Sequence, residues 1–314
     1  IRIEHVNGGL DAARATGPTF LGEHDSVYYQ SFNGNKRSLS LDLKSDAGRE
    51  VLERLIATAD GLIDNLRGDQ PDKLKLTYDH VKASNPKIVC AHISAYGRED
   101  ERRGWPGYDY LMQAEAGFLS MTGEPDSPPS RFGLSMVDFM TGMTAAFALL
   151  AGIMAARSSG AGRDVDVSLY DVAMHQLTYP AAWYLNDGLV TGRFARSSHP
   201  YAVPSQLCKT ADGWIFLMCQ TQKFWRILCE RMERPDLAAD PRFIDEETRY
   251  HNRESITEVL DEALSSQTTE AWIELLAGDV PCGPVYDIAQ ALDNPYFVRR
   301  GGIRTVEHPD KSDL

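Results

Sequence analysis

Apolar residues in the first third of the chain follow two spacings, one typical of strands and the other of helices. Leu39, Leu41 and Leu43 occupy every second position, which is the period of a half-buried strand. After Ser45-Asp46, which we expect to cap a helix, the apolar residues fall on one helical face. Strands are predicted at residues 1–6, within 31–43, at 61–66 and at 87–94, with helices at 46–56 and 78–84. This order predicts an α/β fold with a parallel sheet and helices on its faces.

A polar segment divides the rest of the chain. Residues 191–205 are rich in Ser, Arg, His and Pro, and we expect a linker there. Beyond it, Asp212-Gly213 has the composition of a two-residue hairpin turn. Further helices are predicted at residues 107–123, 170–189, 223–232, 253–265 and 269–276, and a further strand at 163–169. The predicted domains are a large domain at 1–190, the linker at 191–205, a small α+β domain at 206–286 and a return segment at 287–314.

The composition is that of an acidic globular protein. A net charge of −13 at pH 7 argues against general nucleic-acid binding, which depends on a basic surface. The five cysteines include no CxxC pair, so we expect free thiols in a reducing compartment and a cytoplasmic location. The chain begins at Ile1 without a visible signal peptide, and we expect a natural segment to precede it.

One apolar run, residues 139–156, is uncharged and nearly long enough to span a bilayer. It contains two Thr and many Ala and Gly, lacks flanking aromatic belts, and is the only such run. We therefore predict a helix of a soluble protein and no membrane partner.

A single acidic residue, Asp138, stands at the head of this run. A carboxylate there is unfavourable unless it is paired or used. Position alone leaves two interpretations open: Asp138 caps the helix, as Asp often does, or it lies near the start of a buried helix and acts as a nucleophile. Small residues would let the helix pack closely against its neighbours, namely Gly142, Ala145, Ala146, Ala148 and Gly152.

No established catalytic or cofactor motif accompanies Asp138. The histidines are scattered, so we predict no metal site. A GxSxG elbow, a Walker loop and a GxGxxG fingerprint are all absent from the sequence. The residues alone therefore indicate a soluble α/β protein with one unexplained aspartate.

Many short segments occur along the chain in an order that one family shares. They are Ile3-Glu4, Asn33 with Lys36-Arg37-Ser38, Leu41-Asp42-Leu43-Lys44-Ser45, Ala59-Asp60, Asn65-Leu66-Arg67, Asn85-Pro86-Lys87, Gly107-Tyr108-Asp109-Tyr110, Gln113-Ala114, Thr122-Gly123, Asp138 with Gly142, Asp166-Val167-Ser168-Leu169, Asp212-Gly213-Trp214 and Pro281-Cys282-Gly283-Pro284-Val285. In this the chain resembles the class III CoA-transferases, the family of formyl-CoA transferase and carnitine CoA-transferase, to which α-methylacyl-CoA racemase is related. The resemblance covers essentially the whole chain.

The resemblance implies that Asp138 is the nucleophile. In that family the aspartate attacks an acyl-CoA thioester and forms a mixed anhydride, and the released CoA thiolate converts this into an aspartyl-CoA thioester. An acceptor carboxylate then takes the CoA by the reverse sequence. The implied function is CoA transfer from an acyl-CoA to a carboxylic acid, with CoA as substrate and no tightly bound cofactor.

The resemblance also implies the CoA contacts. The segment Leu41, Asp42 and Leu43 would lie against adenine, and Lys73 would reach the phosphates through charge-assisted hydrogen bonds. Further predicted contacts are Lys36, Arg37, Lys75, Arg98 and Tyr108.

Two departures separate the chain from the racemase. The racemase uses a histidine where Tyr108 stands, and a phenol is a poor substitute for a base poised near neutrality. The racemase also has an acidic residue near the position of Thr221, which is not acidic here. Both favour the transferase, with a racemase or epimerase and a non-catalytic acyl-CoA-binding relative as alternatives.

A third departure concerns the acid. Formyl-CoA transferase has a glycine run where this chain has residues 196–201. We therefore expect a different acid, with His199 and the nearby Arg193 and Arg196 as candidates to bind a second carboxylate of a small dicarboxylic acid.

The resemblance implies a Rossmann-like open parallel sheet in the large domain. It further implies two ring-like monomers interlocked as a homodimer, with the tail after Asp287 returning to the large domain and Asp138 at the cleft between domains.

Overall fold

The computed structural model of the chain describes residues 1–5, 10–23 and 25–305. The predicted strand end at Val6 and residues 306–314 of the predicted return segment lie outside the described residues. The internal contacts divide the chain into two compact units. The first contains residues 1–116 and 133–177, and the second contains residues 117–132 and 178–305.

The strands are short and fall into parallel and antiparallel sheets. Their bounds are β1 Arg2–His5, β2 Phe20–Gly22, β3 Asp25–Ser26, β4 Ser38–Leu41, β5 Gly61–Asp64, β6 Val89–Ser94, β7 Arg163–Ser168, β8 Ser205–Lys209, β9 Trp214–Met218 and β10 Cys282–Pro284. In the first unit β1 pairs with β4 in parallel, and β5, β6 and β7 form a parallel sheet in that order. The predicted α/β fold with a parallel sheet is thus confirmed.

The helices range from single turns to one of 24 residues. Their bounds are α1 Val27–Asn33, α2 Asp46–Ile56, α3 Gln70–Lys73, α4 Tyr78–Val81, α5 Asp109–Glu115, α6 Phe118–Met121, α7 Met136–Ser159, α8 Leu169–Gln176, α9 Thr178–Asp187, α10 Gln222–Arg231, α11 Pro235–Ala239, α12 Glu246–His251, α13 Arg253–Leu264, α14 Thr269–Leu276, α15 Ile288–Leu292 and α16 Pro295–Arg299. Short 3₁₀ turns lie at Ala12–Ala15, Glu101–Gly104 and Ala195–Ser197.

Helix α7 packs one face against the parallel sheet. At Gly152 a Cβ atom would lie 2.8 Å from Cγ1 of Val89, so only glycine permits this approach to β6. Ala145 is fully buried on the same face, which confirms the predicted close packing of small residues at these two positions. The prediction was wrong for Gly142 and Ala146, which are exposed.

The prediction of a buried helix was also wrong for the other face of α7. Met143, Phe147, Leu150 and Met154 are exposed there and form a stripe, because they recur every three or four residues. Among the described residues α7 is the one helix long and apolar enough to cross a membrane, a test that core helices also pass.

Helix α1 extends into residues 31–43, within which we predicted a strand but no helix. Its cap is Ser26, whose hydroxyl accepts a hydrogen bond from the Tyr29 N–H at 3.0 Å. Tyr29 is buried, and its hydroxyl donates to Glu4 at 3.0 Å. A contact with β1, 25 residues away, therefore overrides the strand propensity of the aromatic residues.

Two predicted helices each break into two. The helix predicted at residues 107–123 ends at Glu115, because Gly117 adopts a left-handed backbone with φ of +85°. The helix predicted at 170–189 breaks before Thr178, where φ is +38°. The chain passes from one compact unit to the other near both breaks, so residues 117–132 and 178–190 join the second unit and not the predicted large domain.

The second unit contains an antiparallel sheet in the order β10, β9, β8. Strands β8 and β9 form the predicted hairpin, with Asp212-Gly213 in its connection. The helices predicted at residues 253–265 and 269–276 are confirmed as α13 and α14. A core around Trp225, Trp272 and Phe243 holds these elements together.

A charged network crosses the parallel sheet of the first unit. The His92 side chain, 1% exposed on β6, contacts Asp64 of β5 at 2.6 Å and Asp164 of β7 at 3.1 Å. Arg98 in turn contacts Asp164 at 3.3 Å and Asp166 at 2.7 Å. Burial alone would lower the pKa of His92, but the hydrogen bonds to Asp164 and Asp64 outweigh it and raise the pKa to about 9. A buried imidazolium therefore links the three strands.

We expect His92→Gln to destabilise the protein most at low pH. The raised pKa means that the stabilisation is fully present below the unfolded pKa near 6.5 and is lost as the pH rises through about 9. Urea unfolding between pH 6 and pH 9.5 should show a wild-type advantage of about 3 kcal/mol that fades with rising pH. His175→Gln, at an exposed histidine, is the control. A pH-independent difference would contradict this account.

Candidate active site

Asp138 lies in the first turn of α7. The helix begins at Met136 with Ser135 as its N-cap, so Asp138 is not the cap. Its side chain is exposed, and its carboxylate receives neither a hydrogen bond nor an ion pair from any residue that the structure describes. Of the two interpretations left open by the sequence, the cap is therefore wrong.

The backbone of Asp138 is held by another carboxylate. Asp109, at the first residue of α5 and only 3% exposed, accepts a hydrogen bond on Oδ2 from the Asp138 N–H at 2.9 Å. Its other oxygen accepts from the Gln113 amide. The first N–H groups of a helix have no partner within the helix. Asp109, which belongs to α5, thus accepts a hydrogen bond from an N–H group in the first turn of α7, as an N-cap side chain would.

The two carboxylates also interact electrostatically. Desolvation by the surrounding protein raises the pKa of Asp138, and the nearby Asp109 carboxylate raises it further. The helix N-terminus acts in the opposite direction, because its dipole favours negative charge. An accessible, unpaired carboxylate with a raised pKa is a feature of functional sites.

Three aromatic side chains form a cluster that begins at Phe139, the residue after Asp138. The ring of Phe139 lies 6.1 Å from that of Phe32 on α1, and Phe32 lies 5.1 Å from Tyr28. All three side chains are exposed. They form an apolar surface next to the carboxylate in the first unit.

Two contacts of α2 connect the predicted adenine and phosphate segments. Near its start, a Cβ atom on Gly48 would lie 2.0 Å from the carbonyl oxygen of Asp42, so the helix packs directly on that segment. One residue later, Arg49 donates to the carbonyl oxygens of Leu74 at 2.8 Å and Lys75 at 3.4 Å. Helix α2 therefore fixes the Asp42 segment and the Lys75 segment relative to each other. Sequence reasoning missed Gly48 and Arg49, since neither carries a motif.

Lys73 and Lys36 differ in how they are held. The Lys73 ammonium is 63% exposed and contacts the Asp69 carboxylate at 2.5 Å. Hydrogen bonds from Lys73 and Gln70 lower the pKa of Asp69 to about 2. Lys36 donates to the carbonyl oxygen of Phe32 at 2.7 Å. Both ammonium groups remain near the surface, as phosphate contacts require.

Other predicted CoA contacts are in varied surroundings. Leu41 ends β4, and Arg37, Asp42 and Leu43 flank that strand. Tyr108 is 75% exposed, immediately before α5. By contrast, Arg98 is engaged by Asp164 and Asp166, as described above. Its predicted phosphate contact stays a prediction and would have to compete with two carboxylates.

The predicted acid contacts lie in the second unit. The Arg196 guanidinium pairs with Asp261 and stacks over Trp214 at 4.8 Å. His199 accepts hydrogen bonds on Nδ1 from the N–H groups of Tyr201 at 3.1 Å and Ala202 at 2.9 Å. Asp261 thus neutralises the charge of Arg196. Both hydrogen bonds to His199 are made at Nδ1, and neither involves its Nε2 atom.

No group of three or more His, Cys, Asp or Glu side chains in residues 1–5, 10–23 and 25–305 is arranged to hold a metal ion. All five cysteines are unpaired, and four of them are buried.

The fold and site define an α/β protein with an accessible, unpaired aspartate at a helix start. A sequence model of CoA-transferase family III matches residues 1–314, and the chain belongs to this family. It is 31% identical over 317 residues to the succinyl-CoA:mesaconate CoA-transferase of Haloarcula hispanica, covering 98% of this chain and 78% of that protein. The acetyl-CoA:oxalate CoA-transferase of Acetobacter aceti is 30% identical over 319 residues, with 99% and 81% covered.

A solved structure shows the same fold. The crystal structure of a CAIB/BAIF family protein from Brucella suis matches with a TM-score of 0.82 at 30% identity, covering 95% of this chain and 79% of that one. The predicted family and enzyme class, a family III CoA-transferase, are confirmed.

Replacing Asp109 tests its two effects on Asp138 separately. Asp109→Asn keeps an oxygen that can accept the Asp138 N–H but removes the charge, so the pKa of Asp138 should fall. Asp109→Ala removes the acceptor as well and should lower the unfolding free energy by about 1 kcal/mol. The pKa is measured by NMR titration of ¹³C-labelled aspartates, with Asp138→Asn to assign the signal.

The control for this titration is Glu50→Gln, at an exposed position of α2. An Asp138 pKa that is the same in Asp109→Asn and in the wild type would show that the two carboxylates are not coupled.

Proposed function

We propose that the protein transfers CoA from an acyl-CoA to a small dicarboxylic acid, with Asp138 as the nucleophile. The observation that carries this proposal is the accessible Asp138 carboxylate, free of partners among the described residues and held through its backbone by Asp109. A nucleophile needs an open approach and an oxygen that is not engaged in an ion pair or a hydrogen bond. Asp138 meets both requirements.

The reaction proceeds by alternating attacks at two carbonyl carbons. Asp138 attacks the thioester carbon, the C–S bond breaks, and a mixed anhydride and CoA thiolate form. The thiolate attacks the aspartyl carbon, releasing the donor acid and leaving an aspartyl-CoA thioester. The acceptor carboxylate attacks that carbon and expels the thiolate, which then attacks the acceptor carbonyl. The new acyl-CoA leaves, and the Asp138 carboxylate is restored.

The acids are proposed from the relatives. Their names specify succinyl-CoA and mesaconate in one case and acetyl-CoA and oxalate in the other, so each acceptor acid is a small dicarboxylate. We assign CoA to the segments that α2 holds together. Leu41, Asp42 and Leu43 would contact adenine, and Lys73 and Lys75 the phosphates. Further contacts are proposed from Lys36, Arg37, Arg98 and Tyr108. Acid contacts are proposed from His199 and from Arg196, which would have to exchange Asp261 for the acid.

We further propose a cytoplasmic homodimer with a Rossmann-like large domain, in which two chains interlock. A second chain is supported by the exposed apolar stripe on α7, which consists of Met143, Phe147, Leu150 and Met154. Contiguous apolar surface of this kind marks an interface. The free cysteines support a reducing compartment.

The function is tested by incubating acetyl-CoA or succinyl-CoA with succinate, mesaconate or oxalate and separating the CoA esters by chromatography. We expect a new acyl-CoA in equal amount to the donor consumed, and a loss of at least about a thousandfold in rate for Asp138→Asn. Glu50→Gln should retain the rate.

Two outcomes would contradict this function. Solvent deuterium incorporated at the α-carbon of the acyl group without transfer would indicate a racemase or epimerase. CoA binding with neither reaction would indicate a non-catalytic relative.

Sedimentation equilibrium tests the dimer. The wild type should have twice the mass of one chain, and Phe147→Asp should shift it toward the monomer, because a charge in an apolar interface is unfavourable. A monomeric wild type would refute the dimer.

A further inference from the structure

The arginines of the second unit differ in their charge partners. Arg196 pairs with Asp261, Arg231 with Asp279, Arg234 with Asp236 and Arg242 with Asp240. Three at least partly buried arginines of this unit have no carboxylate partner among the described residues: Arg193, Arg249 and Arg253. Arg193 donates to the carbonyl oxygen of Ser127, and Arg249 donates to the carbonyl oxygens of Val203 and Phe243 and to Gln222.

The third, Arg253, is the first residue of α13. It is half-buried, and burial lowers its pKa. A guanidinium held in the protein without an anion is an unusual arrangement, because charges removed from water are normally paired.

The surroundings fix the Arg253 guanidinium without neutralising it. It lies over the rings of Phe194 at 4.6 Å and Tyr250 at 5.0 Å. Its Nη2 donates to the carbonyl oxygen of Pro200 at 2.9 Å, while Nη1 is enclosed and has no acceptor. Ring stacking holds the plane of a guanidinium and leaves its in-plane N–H groups for a planar anion.

His199 precedes the residue that Arg253 contacts. Its Nδ1 accepts two backbone N–H bonds, which requires an unprotonated Nδ1 and leaves the hydrogen on Nε2. Burial and the charge of Arg253 both lower the pKa of this histidine, consistent with a neutral ring. The ring of Tyr179 lies 6.0 Å away. His199 thus presents a neutral N–H donor beside an unneutralised cation.

We propose that Arg253 and His199 form a carboxylate-binding site in the second unit, with Arg253 supplying the charge and His199 an Nε2–H donor. Between Arg196 and Arg253, Arg253 is the arginine whose charge is available, because Asp261 already pairs with Arg196. The identity of the ligand as a carboxylic acid substrate rests on the proposed function.

The site is tested by calorimetric titration of the full chain with succinate, with succinamide, which has no carboxylate, and with inorganic sulfate. We expect Arg253→Gln to weaken succinate binding about tenfold to hundredfold, the range for losing a charged hydrogen bond. Arg226→Gln, at an exposed position of α10, should bind as the wild type. Thermal unfolding checks that each variant is folded.

Arg253→Lys keeps the charge but not the planar fork, and it serves if Arg253→Gln does not fold. It should bind succinate more weakly than the wild type and lose most of the preference over succinamide. Unchanged succinate affinity in a folded Arg253 variant would overturn the proposal. Equal wild-type affinity for sulfate and succinate would also overturn it, since the site would then bind anions generally.

A parallel reaction with acetyl-CoA separates this inference from the proposed function. Acetyl-CoA carries no second carboxylate, so its covalent reaction at Asp138 does not need Arg253. If the wild type forms the adduct but Arg253→Gln binds succinate normally, the carboxylate site is refuted and the transferase stands. If no adduct forms while Arg253→Gln loses succinate binding, the transferase is refuted and the site stands.

Discussion

The candidate active site depends on one hydrogen bond, from the N–H of Asp138 to the carboxylate of Asp109. A cap of this kind contributes about 1 kcal/mol, which is small beside the packing of α7 on the sheet. Its importance lies in its effect on the side chain of Asp138. Because Asp109 satisfies the helix backbone, the side chain of Asp138 is not required for capping and remains open to solvent. In the proposed function, a structural role and a chemical one are thus divided between two aspartates that the chain places 29 residues apart.

The parallel sheet supplies the rigid base for this arrangement. Gly152 brings α7 into contact with β6, which fixes the height of the helix above the sheet. On the opposite face of β6, His92 joins β5 and β7 through their carboxylates. Alternate residues of a strand point to opposite faces, so one short strand carries both the contact to α7 and the charged link between its neighbours. The stability of the network and the position of Asp138 are therefore connected through β6.

The sequence was informative where the signal was local. The isolated acid at the head of an apolar run led to Asp138, the strand and helix periods led to the α/β fold, and the order of short motifs led to the family. Three features were not predictable in this way. Asp109 acts on a residue far along the chain, Arg49 acts through backbone carbonyls that have no sequence signature, and α1 forms because Tyr29 reaches Glu4. Each depends on contacts that exist only after folding.

The predicted acid contacts show the same limit. The arginines and the histidine of residues 193–199 predicted Arg196 as an acid contact, but only the structure shows that Asp261 neutralises it. Arg253 lies in an ordinary helical segment and becomes notable because it lacks such a partner. On this proposal, an arginine can bind a carboxylic acid only if no carboxylate of the protein already neutralises its charge.

The most direct test of Asp138 as nucleophile is peptide mass spectrometry of the protein after brief incubation with acetyl-CoA. The account predicts a CoA-sized mass increase on the peptide that contains Asp138, removed by hydroxylamine and absent in Asp138→Asn. A hydroxylamine-sensitive adduct on another residue, or catalytic transfer without an adduct at Asp138, would contradict it.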